Sequence, residues 1–225
     1  MKTATLHINK LAAAKRQIQA AIRMYFAEED ELAVHIVASA AYNVLKDIKR
    51  SRGKSEAADF LGLIAFSFVS SWHRGELPPS LASEKWIADL VRCNPDIGPH
   101  SEWVDCQGVT MSTDAERAYW NDTNKIANFL KHADRDTDQL LSCKIHNCLL
   151  IVRALAAYQA VAPDDLGVEG FVFRAFCSMN DEIYGSGSDR FDHLVLKLRE
   201  CEASRRIAFC RELIVLLKAD MTDVN

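Results

Sequence analysis

Apolar residues recur along this chain at helical spacing almost throughout, and strand-like alternation is nearly absent. A first helix is expected from Asn9 to Ala27, with Leu11, Ile18, Ile22 and Tyr25 inward and Lys10, Lys15, Arg16 and Gln19 wet. Glu28-Glu29-Asp30 breaks that pattern and places acidic groups at the N-terminal dipole of a second helix, Glu31 to Arg50. Its expected inner face holds Ala33, Ile36, Val37, Ala40, Ala41, Val44 and Ile48, and Lys46, Lys49, Arg50 and Arg52 followed by Gly53 signal its end. A third helix, Ser55 to His73, is apolar on most sides and ends at Gly75, Pro78 and Pro79. A shorter one, Ser83 to Cys93, carries Trp86, Ile87, Leu90 and Val91. Asn94 to Ser112 contains two prolines and two glycines and reads as an ordered loop, with room for a short extended pair around Trp103-Val104 and Val109-Thr110.

The stretch from Thr113 to Asp138 organises the rest. Tyr119, Ile126, Phe129, Leu130 and Ala133 fall on one helical face, and Asn121, Asn124, Lys125, Asn128, Lys131, His132 and Arg135 on the other. Thr113 and Glu116 form a capping box at its start. A further helix follows over Gln139 to Val161, then one from the Pro163-Asp164-Asp165 cap to Tyr184, then the linker Gly185-Ser186-Gly187-Ser188. The last helix, Asp189 to Ala219, is expected to bend near Glu202–Ser204. The fold class is therefore all-α, a bundle of about seven helices in one domain, with core helices over 9–161 and the helices of 164–219 packed on it.

Composition narrows the field. With 225 residues, 49% hydrophobic and 26% charged, the chain can bury a substantial core, and its values are not those of a disordered protein. A net charge of −4 announces no broad basic face, which leaves only a local basic patch for a nucleic-acid surface. The seven cysteines are odd in number and include no CxxC, so they read as reduced core thiols. The charged, amphipathic N-terminus has no apolar signal core, and the longest apolar run, Phe60 to Val69, is far shorter than a membrane span. A cytoplasmic protein is expected. The motifs of P-loop NTPases, dinucleotide enzymes, GxSxG hydrolases and HExxH zincins are all missing from the sequence.

The candidate chemistry lies on two polar faces. His35, Ser39, Tyr42 and Lys46 stand at i, i+4, i+7 and i+11 of the second helix, and Asn128 and His132 stand one turn apart. If those helices are neighbours, His35 and His132 share a cleft. His132 could then transfer a proton, Asn128 orient it, and Lys131 hold an anion, with His35, Ser39, Tyr42, Lys125 and Arg135 as ligand-binding residues. The plainer alternative is that these side chains only tie helices together. His132, Asp134 and Asp136 form a weaker candidate metal set, and Asp136 is explained more simply as part of the cap of the next helix. No cofactor is expected.

The segments Ala21–Arg50 and Asn128–Asp136 (NFLKHADRD) resemble a group of uncharacterised bacterial helical proteins and, more distantly, the HEPN superfamily. The resemblance covers about Ala12 to Tyr158. It implies a HEPN-like bundle core and, in its ribonuclease members, metal-independent RNA cleavage at a dimer interface. Such members place an arginine and a polar residue before a histidine. Here Asn128 and His132 match the polar residue and the histidine, while Ala127 stands at the arginine position and only Lys125 or Lys131 supplies charge. The leading functional reading is a protein that binds a partner or anionic ligand, RNA included, through Asn128–Asp136. The alternatives are a HEPN-type ribonuclease or toxin component and a purely structural or oligomerisation module. A homodimer and an RNA or protein partner are the associations expected.

Overall fold

The computed structural model describes residues 8–52, 60–102, 109–110, 112, 125–126, 128–129, 146–162, 166–179 and 189–222. Its helices are α1 (Lys10–Phe26), α2 (Glu31–Ser51), α3 (Phe60–Arg74), α4 (Pro79–Ala82), α5 (Lys85–Cys93), α6 (Asn147–Val161), α7 (Gly167–Ser178), α8 (Asp189–Glu200) and α9 (Arg206–Thr222), with a 3-10 turn at Ala203–Arg205. No strand occurs among the described residues, and the protein is all-α. No helix among them is long and apolar enough to cross a membrane.

The helix ends follow local rules. Asn9 caps α1 by accepting the Ala12 N–H at 2.8 Å, and Asp30 caps α2 by accepting the Ala33 N–H at 2.9 Å. α1 closes in a Schellman motif, with Glu29 N–H donating to Met24 O and Glu28 N–H to Tyr25 O. α3 closes the same way, with Glu76 N–H to Ser71 O and Gly75 N–H to Trp72 O. The left-handed residue is glycine in the second case (Gly75, φ 72°) but glutamate in the first (Glu28, φ 55°). The long C-terminal helix anticipated from the sequence is two helices. The chain breaks at Cys201–Glu202, and the Arg206 guanidinium turns back to the carbonyls of Cys201 (3.1 Å) and Arg199 (3.4 Å) at the end of α8.

Two compact units emerge, one formed by 1–47 with 145–225 and the other by 48–144. In the first, α1 packs on α6, α7 and α9, and α7 packs on α8 and α9. Their shared core is aromatic. Tyr25 and Phe26 of α1 meet Phe173 and Phe176 of α7 with ring centroids 5.3–6.2 Å apart, mostly edge to face. Each such pair contributes about 0.5–1.5 kcal/mol beyond simple burial. Gly170 permits the close entry into α7, because a Cβ there would stand 2.5 Å from Leu166 Cβ.

The second unit centres on Ala65, Phe66, Val69, Leu90, Ile97 and Val109, with Phe68 stacked edge-on to Trp86 at 5.3 Å. Asn94, at the end of α5, fastens its loop. Its amide N–H groups donate to Leu90 O (2.7 Å) and Thr110 O (2.9 Å), and its oxygen accepts the Thr110 N–H (2.8 Å).

The inner face of α2 differs from the expected one by about one residue. Val34, Ala38, Ala41 and Leu45 are buried, whereas Ile36 is among the exposed hydrophobics. Apolar residues cover more than half of this helix, so two adjacent stripes fit the pattern equally well and tertiary partners select one.

Candidate functional site

The polar stripe of α2 faces inward. His35 is 8% exposed, and Ser39, Tyr42 and Lys46 are half-buried. Two members of the stripe, His35 and Tyr42, lie against Asn147 and Arg153, buried polar residues of the largely apolar α6. Asn147 donates to Glu31 O at 2.8 Å, and the Arg153 guanidinium lies over the Tyr42 ring, 4.4 Å from its centroid. Burial lowers the pKa of His35, an effect that the nearby Asn147 amide offsets in part. Neither ring nitrogen reaches hydrogen-bonding geometry, nor does Asn147 Oδ1. His35 is thus a neutral imidazole held between two helices.

Of the Asn128–Asp136 cluster, Asn128 and Phe129 are described, together with Lys125 and Ile126 before them. These four are helical. Ile126 is 4% exposed and Phe129 half-buried, while Lys125 and Asn128, three residues apart, share the exposed side. Lys131, His132, Asp134, Arg135 and Asp136 lie outside the described residues, as does the geometry of any cleft or metal set that they would form. No group of three metal-ligating side chains occurs among the described residues.

Two clusters went unremarked in the sequence. Glu169 of α7 is 2% exposed and binds Arg23 of α1 at 2.5 Å and Lys218 of α9. Burial pushes its pKa up, but the Lys218 ammonium, its own backbone N–H and Arg23 outweigh that and hold it below the usual carboxylate range. Beside it, Gln19 donates to Leu166 O at 2.9 Å. One buried carboxylate therefore fastens three helices. The sequence signal was a lone acid inside the apolar run GVEGFVF, and the same kind of signal, a lone arginine in LLIVRALAA, marked Arg153.

The other cluster is sulfur-rich. Cys148 Sγ of α6 lies 4.0 Å from Cys177 Sγ of α7, next to Tyr25. The contact with Cys177 lowers the pKa of Cys148, burial opposes this, and Tyr25 lowers it further. Burial, with a smaller effect from Cys201, pushes the Cys210 thiol up to about 12. Burial and the surrounding thiols likewise raise the Tyr25 phenol above its ordinary value.

No family model, no curated protein and no solved structure matches this chain.

Proposed function

We propose that this protein is a helical binding module that engages an anionic partner, RNA first among the candidates, through the outer face of the helix bearing Lys125 and Asn128. The observation that carries this reading is the pairing of an exposed cation and an exposed amide one turn apart, above a buried Ile126 that anchors the helix. A cation meets a phosphate, and an amide can both donate and accept beside it. Lys131, His132 and Arg135 continue the same polar sequence and would extend the surface. The likeness of Asn128-xxx-His132 to the spacing in HEPN ribonucleases makes RNA the polyanion to try first. Binding is favoured over cleavage because Ala127 stands where those enzymes have an arginine.

Fluorescence anisotropy with a labelled single-stranded RNA, titrated at several salt concentrations, tests the reading. Lys125→Ala should weaken binding roughly five- to tenfold and reduce the salt slope by about one. Asn128→Ala should weaken binding less. RNA binding that is independent of salt, or unaltered in Lys125→Ala, overturns the proposal. Metal-independent cleavage of that RNA, abolished in His132→Ala, would instead favour the ribonuclease.

A further inference from the structure

We propose that Cys148 and Cys177 form a reversible dithiol–disulfide site, oxidised by a hydroperoxide at Cys148 and closed by Cys177. The two sulfurs are in contact at 4.0 Å although 29 residues separate them in sequence. A disulfide needs them about 2 Å closer, at roughly 2.05 Å. Cys148 is the second residue of α6 and Cys177 the penultimate residue of α7, so both sit at helix ends, where small adjustments disturb few backbone hydrogen bonds. Both are half-buried, so neither residue is sealed from solvent.

The surroundings decide which sulfur attacks. Cys148 sits in the first turn of α6, where the helix dipole favours a thiolate, whereas Cys177 sits in the last turn of α7, where it does not. The contacts with Cys177 and Tyr25 act on Cys148 in the same direction. Cys210, held protonated by burial, is not a competitor. In the first step the Cys148 thiolate attacks one peroxide oxygen. The O–O bond breaks, the Cys148 sulfur gains a hydroxyl as a sulfenic acid, and the leaving oxygen takes a proton to give water or an alcohol. Cys177, deprotonated, then attacks the Cys148 sulfur. The S–S bond forms, the S–OH bond breaks, and water leaves. Two thiols are thereby oxidised by two electrons, and one peroxide is reduced. The bond ties the start of α6 to the end of α7 at the margin of the Tyr25–Phe26–Phe173–Phe176 cluster.

The site is tested by treating the reduced full-length protein with hydrogen peroxide at one to ten equivalents, blocking the remaining thiols and mapping tryptic peptides. The expected product joins residues 145–153 to residues 175–190 and disappears on treatment with dithiothreitol. In Cys177→Ser a sulfenic acid should accumulate at Cys148 and be trapped by dimedone. In Cys148→Ser, labelling of Cys177 should be at least tenfold slower. A dominant disulfide between other cysteines, or oxidation spread evenly over all of them, overturns the proposal. Should either serine variant fail to fold, the peptide map of the unmodified sequence decides alone.

Discussion

The Glu169 knot makes an asymmetric prediction. Replacing both cations, Arg23→Met with Lys218→Met, leaves a carboxylate that is 2% exposed with only its own backbone N–H as a partner. Stranding a buried charge in this way costs about 3–5 kcal/mol. The two cations are themselves 47% and 44% exposed, so water already screens the pairs and the lower end, ~3 kcal/mol, is expected. Replacing the acid instead, Glu169→Gln, removes the buried charge, and the half-exposed cations can turn to solvent. About 1–2 kcal/mol should be lost there, chiefly in hydrogen bonding. At about 2–4 °C per kcal/mol for a chain of this length, the double variant should melt roughly 6–12 °C below the unaltered protein, and Glu169→Gln roughly 2–8 °C below it.

The pH dependence sharpens the contrast. In the unaltered protein the folded pKa of Glu169 is depressed, so its stabilisation is present above the unfolded pKa near 4.3 and is lost as pH falls through the folded value. In the double variant burial raises that pKa, the folded state binds the extra proton, and stability relative to the unaltered protein rises as pH falls from 7 to 5. Thermal and urea unfolding followed by far-UV circular dichroism at pH 7 and pH 5 measure both effects. A double variant no less stable than Glu169→Gln at pH 7, with a deficit that does not shrink at pH 5, would refute the reasoning.

Three further outcomes follow from other parts of the fold. His35 has a folded pKa below its unfolded value, so stability is lost as pH falls below about 6.5, by up to ~1.4 kcal/mol per pH unit. His35→Leu should flatten the melting temperature between pH 7 and pH 5, and a slope identical to that of the unaltered protein would contradict a buried neutral imidazole. Glu28→Gly should stabilise by about 0.5–1 kcal/mol, because glycine accepts the left-handed conformation that Glu28 adopts at the end of α1; a lowered urea midpoint would count against this. Asn94→Ala removes three hydrogen bonds and should cost about 2–3 kcal/mol, with faster amide hydrogen exchange at Thr110 as its local signature; unchanged exchange there would show that the latch is not needed.

Helical periodicity alone determined the class of this protein and most boundaries in the described chain. The starts expected at Asn9 and Glu31 fall within a residue of those observed, where Asn9 and Asp30 cap α1 and α2. Gly75 ends α3 as expected, because a helix end is settled by a side chain and the nearest orphan backbone groups. The bend anticipated at Glu202–Ser204 is the break between α8 and α9. The exposure of Lys125 and Asn128 above Ile126 was also legible, since a helix has an inside and an outside wherever it packs.

What the sequence left open was which polar residues go inside. Period 3.6 groups His35, Ser39 and Tyr42 on one stripe but does not say which helix that stripe meets. The sequence therefore offered His132 as the partner of His35, and Asn147 beside His35 and Arg153 over Tyr42 came only with the fold. Glu169 acquires its partners from residues 146 and 49 positions away, and Cys148 finds Cys177 across the gap between α6 and α7. Tertiary structure alone decides such pairings, because burial of a charge or contact of two sulfurs depends on distance in space, which local pattern does not encode.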